Sequence, residues 1–349
     1  MKIITKEIQL SKDVVWKAFT LTNHNDIEIS FLNYGGTITD IRTPDRNGNI
    51  ENIVLRYKNY QDYLANPAYL GAIIGRVAGR IPYSTFTIDN KTYTVSSNEG
   101  PHHLHGGKTQ FHKALWDTRV FESDSSIGVE LTHTSPDGED GYPGAVNVSV
   151  TYELTDTNEF IISYHGITDK PTPLALTNHT YFNLSGNLKR TIEQHEVKID
   201  SDQFLLLEEK MVPTRNFANV ENTPFDFRSW RKIEDGINSN HEQNKIAGNG
   251  YDHYFLFNHN RNNAVEIKEQ QSGRRLTVLT DEPGMVLYTG NNLDQEADLK
   301  ESKSQKYLGL CLETQNHPIS FYNQQLPSII LAPYETYQSK TVFAFSVEE

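Results

Sequence analysis

The sequence predicts an all-β fold: a large antiparallel β-sandwich of two sheets packed face to face. Three observations carry this reading. Eighteen tyrosines and sixteen phenylalanines stand against three methionines, an aromatic weighting that suits strands better than helices. Val146, Val148, Val150, Tyr152 and Leu154 alternate with Asn147, Ser149, Thr151 and Glu153, the period-2 pattern of a strand with one face in a core. Helical periodicity is scarce, and residues 229–236 are the best short candidate.

Taken in order, residues 27–32 and 37–41 read as short strands separated by Asn33-Tyr34-Gly35-Gly36. Residues 45–49 form a turn in which Asn47-Gly48 is the strongest local hairpin signal. Residues 53–57 are expected to be the strand that answers it. Residues 60–69 are polar and aromatic without clean periodicity, a helical turn or a loop. Glycine recurs at 71, 75 and 79 in a segment too short, and too rich in arginine, for a membrane helix pair. On a sheet those glycines admit close backbone approach. Residues 86–88 and 92–95 read as a second hairpin through Asp89-Asn90-Lys91. Phe160, Ile162 and Tyr164 repeat the alternation after a turn at 156–158, and 265–267 answers 276–279 through Ser272-Gly273. With no exact repeat, low-complexity linker or composition break, residues 1–349 read as a single domain.

Composition bounds the partners. Forty-five acidic against 32 basic residues give a net charge of −13, and no run of five Lys or Arg occurs. Such a chain is not expected to bind nucleic acid or an anionic membrane. The opening residues have no apolar signal-like core, and no later stretch approaches the ~18 apolar residues of a membrane span. A single cysteine, Cys311, rules out an internal disulfide and fits a reducing compartment, so a cytoplasmic location is expected. The Asn-X-Ser/Thr sequons at Asn90, Asn147, Asn178 and Asn183 carry no glycosylation meaning without a secretory signal.

Chemistry collects in polar islands. The richest lies in residues 171–186, P-T-P-L-A-L-T-N-H-T-Y-F-N-L-S-G. His179 sits there between an amide and a hydroxyl with two aromatics beside it. Aromatic faces pack on C–H groups, amides satisfy hydroxyls, and imidazole moves a proton near neutral pH, so the island suits a sugar. The others are Gly79-Arg80, Leu104-His105-Gly106-Gly107, Leu312-Glu313-Thr314-Gln315 and a Gly-containing loop, Gly250-Tyr251-Asp252-His253. Each alone has an ordinary structural reading. Gly107-Lys108-Thr109 resembles the end of a phosphate-binding loop, but position 102 is histidine where that motif begins with glycine. His102, His103 and His105 are close in sequence, with His103 and His105 expected on one strand face. No further cysteine or H-E-x-x-H partner accompanies them, so no metal site is expected.

Six motifs together resemble the aldose 1-epimerase (galactose mutarotase) family: G-R-V-A-G-R-I at 75–81, L-H-G-G at 104–107, S-P-D-G-E-D-G-Y-P-G at 135–144, T-D-K-P-T-P-L-A-L-T-N-H-T-Y-F-N-L at 168–184, Y-D-H at 251–253 and L-E-T-Q at 312–315. They stand in the family's order and span nearly the whole chain. The resemblance implies a supersandwich, the galactose mutarotase-like pair of large antiparallel sheets, with an open cleft. It implies Glu313 as general base, His179 as general acid, and Arg80, His105 and Asp252 as substrate-binding groups, with no metal or cofactor. The implied reaction interconverts the α and β anomers of free hexoses such as D-galactose and D-glucose. A carboxylate and an imidazolium on opposite sides of the hemiacetal would open and reclose the ring, with Glu313 ionised and His179 protonated together. The small-molecule partner is a sugar, and the chain is expected to be a monomer or homodimer in hexose and galactose metabolism. Two departures stand out. Gly79 occupies a position where many members carry asparagine, and Asn316-His317-Pro318 replaces the usual aromatic-proline continuation. Alternatives are a hexose-6-phosphate 1-epimerase, with Arg76 and Lys108 as candidate phosphate cations, and a non-catalytic sugar-binding protein. Glycoside cleavage would pair Glu313 with Asp252.

Overall fold

The computed structural model describes residues 1–108, 111–258, 264–293 and 297–348, and an antiparallel sandwich is its framework. Thr109, the end of the discarded phosphate-loop motif, lies outside those residues. One wall is a nine-stranded sheet in the spatial order Asp117–Glu122, Ser126–Ser135, Val146–Thr155, Glu159–Thr168, Tyr337–Val347, Arg274–Thr280, Val265–Lys268, Glu196–Ile199 and Arg231–Lys232. The facing sheet has six strands: Tyr181–Phe182, Leu310–Thr314, Gly284–Tyr288, Asp252–Leu256, Gln203–Leu207 and Pro213–Asn219. A third sheet, of five strands in chain order from Lys2–Ser11 to Ile50–Asn52, joins the same core.

The alternation read from the sequence sets the layers. Val146, Val148, Val150, Tyr152 and Leu154 are all buried, and Asn147, Ser149, Thr151 and Glu153 are not fully so. Their inward faces meet Phe204, Phe255, Met285, Leu287, Leu310 and Leu312 from the back of the six-stranded sheet. Each fully buried aliphatic of this kind contributes about 1.5–3 kcal/mol relative to exposure.

Two local expectations are corrected. The turn at 45–49 is present, but Ile50–Asn52 answers it, pairing Pro44 with Ile50 and Arg42 with Asn52. Residues 53–57 instead cross to other parts of the core through single bridges, Val54 with Phe182 and Tyr57 with Leu299. The helix expected at 229–236 begins only at Glu234, because Arg231–Lys232 is taken up as the edge strand beside Glu196 and Val197. The hairpin of Thr85–Ile88 with Lys91–Thr94 and the 3₁₀ turn Tyr60–Leu64 are as expected. Among the described residues no helix is long and apolar enough to cross a membrane.

Arg76 and the 135–144 motif explain one another. The fully buried guanidinium donates to the Ser135 hydroxyl at 2.8 Å and to the carbonyls of Ser135, Pro136, Pro143 and Gly144 at 2.8–3.1 Å. Two recognisable motifs are thus halves of one clamp that fixes this loop to the sandwich.

Candidate active site

The six-stranded sheet has two chemically different faces, and period 2 decides which residue joins which. Glu313 lies opposite Val286, Cys311 opposite Tyr288 and Tyr181, and Asp252 opposite Tyr288. These side chains therefore share the face away from the core. Glu313, Val286, Tyr288, Tyr181, Asp252, Tyr254, Leu205 and Leu207 all line one cavity of about 310 Å³. Asp252 opens the strand Asp252–Leu256 rather than sitting in a loop. Its neighbour His253 points to the opposite side, packing on Phe225 and meeting Gln243 Oε1 at 3.3 Å.

The opposing wall comes from loops stitched together by short pairings. Ile73–Ile74 pairs with Thr177–Asn178, and Arg80–Ile81 pairs with His103–Leu104. His179 is held by its own backbone, donating N–H to Ala72 O at 2.9 Å and accepting from Gly71 N at 3.0 Å. At Gly106, with φ of +82°, a Cβ would lie 1.8 Å from Gly75 O, so the L-H-G-G loop reaches its seat only without a side chain there. The expected alternation of His103 and His105 fails, since His105 takes φ of +53° and turns into the cavity. His103 is left structural, with Nδ1 at 2.6 Å from Ser96 O and Nε2 at 2.7 Å from Tyr142 OH.

All five residues expected at the site line this cavity: Arg80, His105, His179, Asp252 and Glu313. His179 Nε2 and Glu313 Oε1 stand 3.5 Å apart, both nearly inaccessible. Glu313 reaches the pair from the sheet and His179 from the loop wall that faces it. His179 Nδ1 lies 3.4 Å from Cys311 Sγ. The imidazole is boxed by Tyr69, Tyr181, Tyr288 and His105 at centroid distances of 5.0–6.4 Å. His105 Nδ1 accepts the Gly79 N–H at 3.2 Å, so the neutral ring carries its proton on Nε2. Arg80 binds Glu99 in a bidentate pair, at 2.6 and 2.8 Å, and lies 3.8 Å from Asp252 Oδ2.

Burial sets the charges. It pushes Glu313 up to about 8, with Asp252 adding repulsion and Arg80 opposing. It pushes His179 down to about 4 and His105 well below the usual imidazole range. Burial also raises Asp252, against the pull of Arg80. For Arg80 itself burial works against the charge, yet Asp252 and Glu99 outweigh it and the guanidinium is held above its ordinary value. Burial thus works against the two charged forms expected together, the Glu313 carboxylate and the His179 imidazolium.

One ring nitrogen each of His105 and His179 and one Glu313 oxygen lie within 4.8 Å of one another, close enough to consider a metal. With Nδ1 occupied by a backbone N–H, however, His105 turns a hydrogen rather than a lone pair outward. That chemistry suits a hydroxyl-binding donor.

Some readings of the islands do not hold. Asn178 donates to Gly71 O at 3.1 Å and Tyr152 OH at 3.2 Å, and Asn183 donates to Arg190 O and Leu308 O, each at 2.7 Å. These amides build the wall rather than meet a ligand. Beside Gly79, the fully buried Gln315 amide lies 3.3 Å from where a Cβ would stand, and neither of its polar atoms bonds a described residue. Tyr69, Glu99, Tyr288 and His317 line the cavity without having been singled out as site residues. For Tyr69 the one available signal was an aromatic segment lacking periodicity.

A carboxyl and an imidazole 3.5 Å apart in a cavity lined by further polar groups suit proton transfer on two oxygens of one carbon, as in a sugar isomerase. The chain belongs to the aldose 1-epimerase family and is an isomerase of that type: the family pattern described as "Aldose 1-epimerase" matches residues 17–344. It is 39% identical over 326 residues to the galactose mutarotase of Sus scrofa, covering 93% of this chain and 92% of that one. It is 32% identical over 342 residues to the aldose 1-epimerase of Escherichia coli K12, covering 95% and 96%. The crystal structure of galactose 1-epimerase from Lactobacillus acidophilus superposes with a TM-score of 0.88 at 29% identity, over 100% of this chain and 99% of that one. A homologue from C. elegans superposes with a TM-score of 0.86 at 27% identity, over 99% and 100%.

Proposed function

We propose that this enzyme interconverts the α and β anomers of free hexoses, D-galactose and D-glucose foremost, with Glu313 as base and His179 as acid. The observation that carries this is the 3.5 Å separation of Glu313 Oε1 and His179 Nε2 in the cavity. The C1 hydroxyl oxygen and the ring oxygen are bonded to the same carbon, so neighbouring groups reach both. Glu313 takes the C1 hydroxyl proton, His179 gives a proton to the ring oxygen, and the C1–O5 bond breaks to leave an open aldehyde. After rotation about C1–C2 the transfers run backwards from the other carbonyl face, and both side chains are restored. His105 Nε2–H and Arg80 favour negative charge developing on sugar oxygens, and Asp252 accepts hydroxyl hydrogens. Neither metal nor cofactor has a part in these steps.

Neither cation considered for the phosphate alternative lines the cavity. Arg76 is fully buried with its donors occupied, Lys108 is exposed and does not line the cavity, and Arg80 there is already paired with Glu99. For glycoside cleavage the partner of Glu313 would be Asp252, whereas the 3.5 Å contact with the His179 imidazole favours proton transfer by that pair. On this reading residues 1–349 act as one domain, as a monomer or homodimer, in cytoplasmic hexose and galactose metabolism. Polarimetry of freshly dissolved α-D-galactose tests it. The protein should hasten relaxation to the same final rotation, and Glu313→Gln should cut kcat by about 10²–10⁴-fold with sugar affinity retained. An undiminished rate in that variant would remove Glu313 from the role of base.

A further inference from the structure

His317 lines the cavity, although its place in the chain gives it a structural task as well. It caps the 3₁₀ turn Pro318–Phe321, its Nδ1 accepting the Ile319 N–H at 3.2 Å. The ring is 5% exposed and leans on Tyr254 at a centroid distance of 5.1 Å. Burial, with Arg80 nearby, holds its pKa at about 3, so it is neutral over the working range. A neutral imidazole that accepts at Nδ1 carries its hydrogen on Nε2. That Nε2–H has no hydrogen-bond partner among the described residues, and the cavity that His317 lines also contains Arg80 and Asp252.

This is the device already seen at His105, where a backbone N–H fills Nδ1 and leaves Nε2–H as a fixed donor. Resting on the hexose reading above, we infer that His317 is a specificity-determining residue that donates its Nε2–H to one hydroxyl of the bound hexose, away from the reacting C1 and O5 oxygens. The donor is pre-set by the backbone, cannot change tautomer without losing its cap, and does not charge above about pH 3. It therefore selects for an oxygen acceptor at one position on the sugar. A hexose lacking that hydroxyl leaves a buried donor unpaired, which is how a polar site rejects a deoxy analogue.

The test is calorimetric binding of D-galactose and its monodeoxy analogues to the full-length wild type and to His317→Asn and His317→Phe. Asparagine keeps a capping oxygen but falls short of the cavity, whereas phenylalanine keeps the ring but can neither cap nor donate. Galactose affinity should fall about five- to tenfold in both variants, and the penalty should vanish for one particular monodeoxy sugar. In His317→Asn, KM should rise with kcat nearly unchanged and the melting temperature should stay near that of the wild type. An equal penalty for every analogue, or unchanged galactose affinity in His317→Asn, would overturn the assignment and leave only the cap. A wild type that binds galactose without hastening mutarotation would defeat the catalytic reading but leave this test intact. A wild type that binds no hexose would overturn both.

Discussion

The pH dependence of kcat/KM is the most demanding check on the proposed acid–base pair. With ordinary pKa values, Glu313 would be ionised and His179 protonated only between about 4.3 and 6.5. Burial moves the two groups to about 8 and about 4, so the pair holds a single proton throughout the interval between. Moving that proton from Glu313 to His179 against four pKa units costs about 5 kcal/mol. The ion pair so created, at 3.5 Å, recovers about 5 kcal/mol by Coulomb attraction at an effective dielectric near 20. The two placements of the proton are thus close in energy, and the reactive one is within reach when the sugar arrives. Since activity follows the singly protonated pair, the profile belongs to the pair rather than to either residue. Below about pH 4 both groups are protonated and the base is lost; above about pH 8 both are deprotonated and the acid is lost. Polarimetry from pH 3.5 to 9.5, with the spontaneous rate subtracted at each pH, should give a broad plateau with limbs near 4 and 8. A narrow bell with its alkaline limb near 6.5 would show that the pair titrates as though solvated and would refute this reasoning.

Two further outcomes concern residues outside the reacting pair. Because Cys311 Sγ lies 3.4 Å from His179 Nδ1 and burial keeps its thiol protonated, Cys311→Ala should lower kcat about three- to tenfold with KM little changed. Cys311→Ser should recover most of that loss in the same assay, and equal activity in all three proteins would mean that the contact does not orient the imidazole. Arg76→Met removes a buried guanidinium from four carbonyls and should cost about 3–5 kcal/mol in urea denaturation. A loss under about 1 kcal/mol would mean that the 135–144 loop is held by something else.

Legibility in the sequence tracked the distance over which each feature is determined. The strand Val146–Thr155 was visible because one buried face imposes period 2 on ten consecutive residues. The strand Ile50–Asn52 was missed because three residues are too few for a period, and the apolar run at 53–57 gave the stronger local signal. Those later residues are apolar for another reason: Ile53, Val54 and Leu55 are buried in the core without belonging to a continuous ladder. The late start of Glu234–Ile237 likewise depends on Glu196 and Val197, more than thirty residues earlier, claiming Arg231 and Lys232.

At the site, residue identity was legible and orientation was not. Glu313, His179, Arg80, His105 and Asp252 could be named from their motifs, yet the same motifs nominated Asn178 and Asn183, which face carbonyls, as readily as His179. The difference is a matter of which way each residue points in a segment pinned at Ala72 and Gly71, and sequence spacing does not report it. Charge state was equally hidden, since burial is what works against charge on Glu313 and His179, and the rings around the imidazole, Tyr69, Tyr181 and Tyr288, come from three separate segments. A strand pattern exposes the face of a sheet because every second residue repeats the same choice. A catalytic pair makes its choice once, and the rest of the fold supplies the reason.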